Sequence, residues 1–200
     1  MQPVSERVAA GRPRSAAAHE AILAAAIALT REIGFDALAM DAVAARAGVG
    51  KATVYRRWKT KESLIAEALE RFARAIPVPD TGAVEDDLRT VMRGTMRMYQ
   101  DPATAPLLSA LVAAMARSAP IAKAMRSGFV AARRDAMRQV LERGIARGEL
   151  ARGTDIQLAL DLLSGPLLYR ALISGRKIDA RMIRGIVGVV LRGFAPQRRN

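Results

Sequence analysis

Two hundred residues suffice for one large domain or two small ones, and a 51% share of AVILMFWYC residues sets the chain apart from disordered sequences. A net charge of +13 favours polyanionic partners, nucleic acid before an acidic membrane surface. The lack of cysteine excludes disulfide scaffolds, thiolate metal sites and cysteine nucleophiles; with neither a signal-peptide core nor a span-length apolar run recognised, a cytoplasmic protein without a membrane partner is expected.

Residues 1–15 hold Pro3, Gly11 and Pro13 beside Arg7, Arg12 and Arg14. They are expected to form a flexible basic arm, either an arm reaching for DNA or a plain terminus. Residues 16–33 read as a first helix, because Ile22, Ala26, Leu29 and Ile33 recur at helical spacing before Gly34 ends it. His19, the only histidine, is expected at the surface, and one histidine supports no metal site.

Residues 40–61, MDAVAARAGVGKATVYRRWKTK, have the pattern of a helix–turn–helix. Val43, Ala44 and Ala47 line one face of a short helix, Gly48-Val49-Gly50 breaks it, and a second helix opens at Lys51. Val54 and Trp58, four residues apart, face inward. Lys51, Thr53, Tyr55, Arg56, Arg57 and Lys59 fall on the remaining arc, and five Lys/Arg with no acid lie between positions 51 and 61. Such an arc can grip phosphates and reach base edges. A solvated basic helix would have the same charge but would not need the Gly-Val-Gly turn.

The run AGVGKATVYRRWKTKESL resembles the DNA-binding signature of the TetR/AcrR family of bacterial transcription regulators, a likeness covering residues 16 to about 72. The resemblance implies DNA contacts by Lys51, Thr53, Tyr55, Arg56, Arg57 and Lys61. It also implies an all-helical homodimer that releases its operator when a small ligand binds. Two positions depart from the family pattern: Gly50 and Ala39 stand where a Ser or Thr usually caps a helix and touches a phosphate.

Thr60 is positioned to cap a fourth helix, and prolines 77 and 79 mark a domain junction. Beyond it, helices are expected over residues 83–99, from Asp101-Pro102 to before Pro120, over 121–147, from Asp155 to Gly175 with a bend at Gly165-Pro166, and from Asp179 onward. On the long helix, Met125, Phe129, Ala132, Ala136 and Val140 are expected inside, and Arg126, Arg133, Arg134, Arg138 and Arg143 outside. The fold class is therefore all-α, about nine helices: a helix–turn–helix domain at 16–75 and a larger ligand-binding and dimerisation domain at 83–195.

Met92, Met96, Tyr99, Leu111, Met115, Met125 and Phe129 are the candidate lining of a pocket for an apolar or amphipathic effector; the same methionine-rich stripe also suits ordinary core. The last two helices are apolar over broad faces, and Leu163, Leu167, Ile183, Val187, Val190 and Phe194 are the candidate dimer seam, with a monomer core as the other reading. No cofactor, metal or catalytic set is expected. The function expected is a sequence-specific, double-stranded-DNA-binding transcriptional regulator, a repressor released by a small molecule. The alternative is a non-specific, nucleoid-type DNA binder, prompted by charge outside the head: 12 basic against 8 acidic residues in 1–75, but 20 against 11 in 76–200.

Overall fold

A computed structural model describes residues 12–74, 77–102 and 104–196, and residues 1–11 of the expected arm lie outside it. The described residues form nine helices and no strand. The head comprises α1 (Arg12–Ile33), α2 (Met40–Arg46), α3 (Lys51–Arg57) and α4 (Lys61–Arg74). Helix α1 starts four residues earlier than its apolar stripe suggested, so residues 12–15 are helical rather than part of an arm; Pro13 sits in the first turn, where its missing N–H costs nothing.

The body comprises α5 (Val84–Gln100), α6 (Thr104–Arg117), α7 (residues 119–146), α8 (Ile156–Ser174) and α9 (Ala180–Gly193). Two of these carry π-helical stretches, Arg126–Val130 within α7 and Arg170–Ser174 at the end of α8. Asp155 and Asp179 cap α8 and α9 by accepting from Leu158 N at 3.0 Å and Met182 N at 2.9 Å. Helix α4 has a reciprocal cap: Thr60 Oγ1 accepts from Ser63 N at 3.2 Å, and Thr60 N donates to Ser63 Oγ at 3.4 Å. Helix α8 runs through Gly165-Pro166 and so reaches the length and apolarity of a membrane span, which corrects the sequence expectation that no such run exists. A bend expected at Gly165-Pro166 divides the sequence into two apolar runs, each too short to span.

Two apolar cores hold the molecule together. The first joins Ile22 and Ala26 of α1, Val43 of α2, Val54 of α3 and Leu64, Ile65 and Leu69 of α4. It continues without a break into Leu107, Leu111 and Met125 of the body, so the head is fused to α6 and the start of α7. The second joins Leu88 and Met92 of α5, Val140 and Leu141 of α7, Leu160 and Leu163 of α8, and Ile183, Val187 and Val190 of α9. Burying each of the Val, Leu, Ile and Met side chains contributes about 1.5–3 kcal/mol.

Candidate DNA-reading face and ligand cavity

Gly48 adopts φ +66°, a left-handed conformation that strains any residue with a Cβ, and this lets the chain turn sharply after α2. The turn is closed by Gly48 N donating to Ala45 O at 3.2 Å and Val49 N to Ala44 O at 3.0 Å. Gly50 is extended (φ −67°, ψ 143°) and caps α3 without a side-chain bond. Val54 and Trp58 are buried beneath α3, as the spacing predicts, and the Trp58 indole N–H donates to Glu67 at 2.7 Å.

Burial of Val54 and Trp58 turns the opposite arc to solvent. Lys51, Tyr55, Arg56, Arg57 and Lys59 are exposed, and Thr53 is half-buried at the edge. Lys51 Nζ bridges to Asp41 at 2.5 Å, which fixes the start of α3 against α2. The hydrogen bond from Lys51 holds the Asp41 carboxyl below its usual range and raises the Lys51 ammonium in turn. Partial desolvation, then the Asp41 charge, raise the Tyr55 phenol, keeping it a neutral donor at physiological pH. Lys61 lies at the edge of the arc. Two of its three donors go to Phe35 O and Asp36 O, both at 2.9 Å, and its ammonium lies 4.6 Å from the Phe35 ring centroid.

His19 is not the bystander that its isolation in sequence suggested. Its ring stacks on Trp58 with centroids 5.2 Å apart, Nδ1 meets Arg57 Nη1 at 2.6 Å, and Nε2 meets Glu67 Oε1 at 2.9 Å. A guanidinium only donates, so Nδ1 must accept and Nε2–H donates to Glu67. His19 thus steadies an arginine of the recognition helix from α1. Nothing in local sequence brings positions 19, 57, 58 and 67 together.

Behind the head, α5, α6, α7 and α8 enclose a cavity of about 430 Å³. Met92, Met98, Tyr99, Leu108, Phe129, Met137 and Leu167 line it, with Thr95, Ser164, Arg133, Arg134 and Asp161 as its polar groups. Of the seven candidate pocket residues, Met92, Tyr99 and Phe129 do line it. Leu111 and Met125 are instead buried in the first core, and Met115 packs against that core. Met96 packs against the second core without lining the cavity. The candidate lining lies on α5–α7 alone, whereas α8 supplies one wall through Ser164, Gly165 and Leu167.

A second cavity of about 420 Å³ lies between Arg31 of the head, Pro77 and Pro79, and α5 and α7. Arg133 lines both cavities. Expected to point outward, Arg133 is only 7% exposed. Its position, four residues after Phe129 and four before Met137, lies on the inner stripe of α7; only its charge suggested otherwise.

The candidate dimer seam also needs correction. Leu163, Leu167, Ile183, Val187 and Val190 are buried inside one protomer, in the second core, and Phe194 packs against them half-buried. The first five are covered by their own protomer, and only Phe194 keeps part of its ring in solvent. The apolar arc that α8 and α9 leave in solvent is the opposite one: Leu158, Leu162, Tyr169, Ile173 and Val189, with Ile173 73% exposed.

The comparisons with known proteins agree with this geometry. Residues 22–68 match the family described as bacterial regulatory proteins, tetR family, and residues 78–190 match the tetracyclin repressor-like C-terminal domain. The HTH-type transcriptional regulator YdeS of Bacillus subtilis is 36% identical over 184 residues, covering 92% of each chain. The DNA-binding transcriptional repressor TetR of Mycobacteroides abscessus is 32% identical over 92% of this chain and 97% of its own. The crystal structure of the TetR family transcription regulator SCO0332 superposes with a TM-score of 0.79 at 27% identity, over 90% of this chain and 99% of its own.

The fold and its exposed basic helix define a helix–turn–helix transcriptional regulator. The chain belongs to the TetR family, and this supports the regulator reading over a nucleoid-type DNA binder.

Proposed function

We propose that this protein is a cytoplasmic, homodimeric repressor that binds a double-stranded operator through α3 and releases it when an apolar or amphipathic small molecule enters the α5–α8 cavity. The observation that carries the DNA half is the recognition helix itself: Val54 and Trp58 anchor it, and Lys51, Thr53, Tyr55, Arg56 and Arg57 lie along its outer arc. Repression is supported by the relative from Mycobacteroides abscessus, itself named a repressor. The effector half rests on the cavity and on its contact with the same α6–α7 elements that share a core with the head. A ligand acts by its differential affinity for the DNA-competent and incompetent dimers, and by no more than that.

Fluorescence anisotropy on the DNA upstream of its own gene, against unrelated DNA across a salt series, tests the reading. A preference of about 10³-fold or more surviving physiological salt is expected. Arg56→Ala and Tyr55→Ala should each weaken it by about 10-fold, in line with about 1–3 kcal/mol per base contact. Genome-wide selection of bound fragments then separates a wrong operator from a non-specific binder. If selected fragments share no sequence, the reading is wrong. A screen for compounds that release the selected operator tests the effector half.

A further inference from the structure

The cavity is lined mostly by apolar side chains, and one of its polar groups stands apart from the others. Arg133, 7% exposed, donates to Val91 O at 3.1 Å and to Thr95 Oγ1. Its Nε–H is buried and has no hydrogen-bond partner. Among the described residues it forms no ion pair, and Tyr99, the titratable group beside it in the same wall, is neutral at physiological pH. The other charged lining residues compensate each other: Arg134 meets Asp161 at 2.6 Å and Gln157 at 2.9 Å at the rim. The cavity therefore carries one uncompensated positive charge, and it sits at depth.

A buried guanidinium without a counter-charge is expensive. Burial lowers its affinity for the proton, yet arginine stays ionised. Two hydrogen bonds from Nη2 to neutral oxygens satisfy one arm of its fork and leave the other arm for an acceptor. Burial also raises the Tyr99 phenol, more than the Arg133 charge lowers it, which keeps that hydroxyl a donor beside the same space.

We infer that the effector is an amphipathic carboxylate, with its apolar body among Met92, Phe129, Met137 and Leu167 and its carboxylate on Arg133. This rests on the cavity being the effector site proposed above. It narrows the ligand from any apolar molecule to one bearing an anionic head. Because Arg133 also walls the second cavity, beside Arg31 of α1, the head group would be held at the junction with the DNA-binding head.

The test uses the full-length protein and two matched pairs: decanoate against 1-decanol, and 1-naphthoate against 1-naphthol. Isothermal titration calorimetry gives the affinities, and release of the selected operator gives the response. At least one acid should bind about 10-fold or more tightly than its alcohol, the range expected of a charge-assisted bond to a buried arginine. Arg133→Met should erase that preference. It should also leave the unliganded melting temperature unchanged or raised, because an apolar isostere removes an uncompensated buried charge. A merely structural arginine would instead lower it.

The inference is overturned if acid and alcohol bind alike, if the preference survives in Arg133→Met, or if no member of either pair binds. Should Arg133→Met fail to fold, the acid–alcohol comparison on the unaltered protein decides alone. Operator release by uncharged or cationic compounds alone would sink the carboxylate inference while leaving the proposed function intact.

Discussion

Asp87 is fully buried, and its carboxylate ties three parts of the chain together. Oδ1 accepts from Thr81 N at 3.0 Å and Thr81 Oγ1 at 2.8 Å, and Oδ2 lies 3.9 Å from Arg143 of α7. Arg143 also donates to Pro79 O and sits 3.6 Å from Asp80. One acid thereby fixes the junction after Pro79 to the start of α5 and to α7. Asp87→Ala removes the acceptor of both Thr81 donors and the buried counter-charge of Arg143, and a stability loss of about 1.5–3 kcal/mol is expected. Urea unfolding should show it as a lower midpoint with an unchanged slope; an unchanged midpoint would refute the role. At this scale the sequence was least legible. It placed Asp87 among helix-start acids, Arg133 on a solvated face and His19 at the surface, because a charged residue's partners lie far away in sequence. The buried apolar residues Ile22, Val54 and Trp58 needed no such knowledge, since helical spacing alone turns them inward.

Helix α7 illustrates the limit of periodicity at the scale of an element. Its extent was legible from the apolar stripe, the Pro120 start and the Gly148 stop, but its π-helical stretch was not: one wider turn leaves no compositional mark. That stretch has two neighbours of consequence. Phe129 lines the cavity, and Gly128 lies against Glu70 of α4, the helix that carries the head. A Cβ at position 128 would overlap Glu70 Oε2 and stand 3.1 Å from its Cδ. Glu70 is itself held by Arg74 at 3.0 Å. Gly128→Ala should therefore displace the Glu70 carboxylate from Arg74, and Glu70 Cβ at 3.4 Å passes part of the strain to α4, while the helix-propensity gain of about 1 kcal/mol offsets it in overall stability. The expected result is operator binding weakened about 3- to 10-fold with little change in melting temperature, since a coupling free energy of about 1 kcal/mol suffices. Adding Glu70→Ala should restore affinity, and the double-mutant cycle isolates the contact. Normal operator binding by Gly128→Ala would remove this junction from the path between cavity and DNA.

At the scale of the whole molecule, the order of two domains, the nine helices and the capping aspartates 155 and 179 were all legible. Which face of α8 and α9 looks outward was not. Both helices are apolar on two arcs, and sequence cannot say which arc its own protomer covers. The structure resolves this by burying Leu163 and Val187 in the second core and leaving Leu158, Leu162, Tyr169, Ile173 and Val189 in solvent. A proposed dimer seam on that outer arc makes two substitutions diverge. Val187→Asp puts a charge into a packed core and should prevent folding. Ile173→Asp puts one onto the outer arc, leaves the protomer core intact, and should give a folded monomer by sedimentation with the helical circular dichroism of the parent. Its operator affinity should fall by about 10²-fold or more, because a single recognition helix loses the second half-site that a two-fold dimer supplies. Sedimentation of Ile173→Asp as a stable dimer at micromolar concentration would place the seam elsewhere, and the outer arc of α8 would then need another occupant.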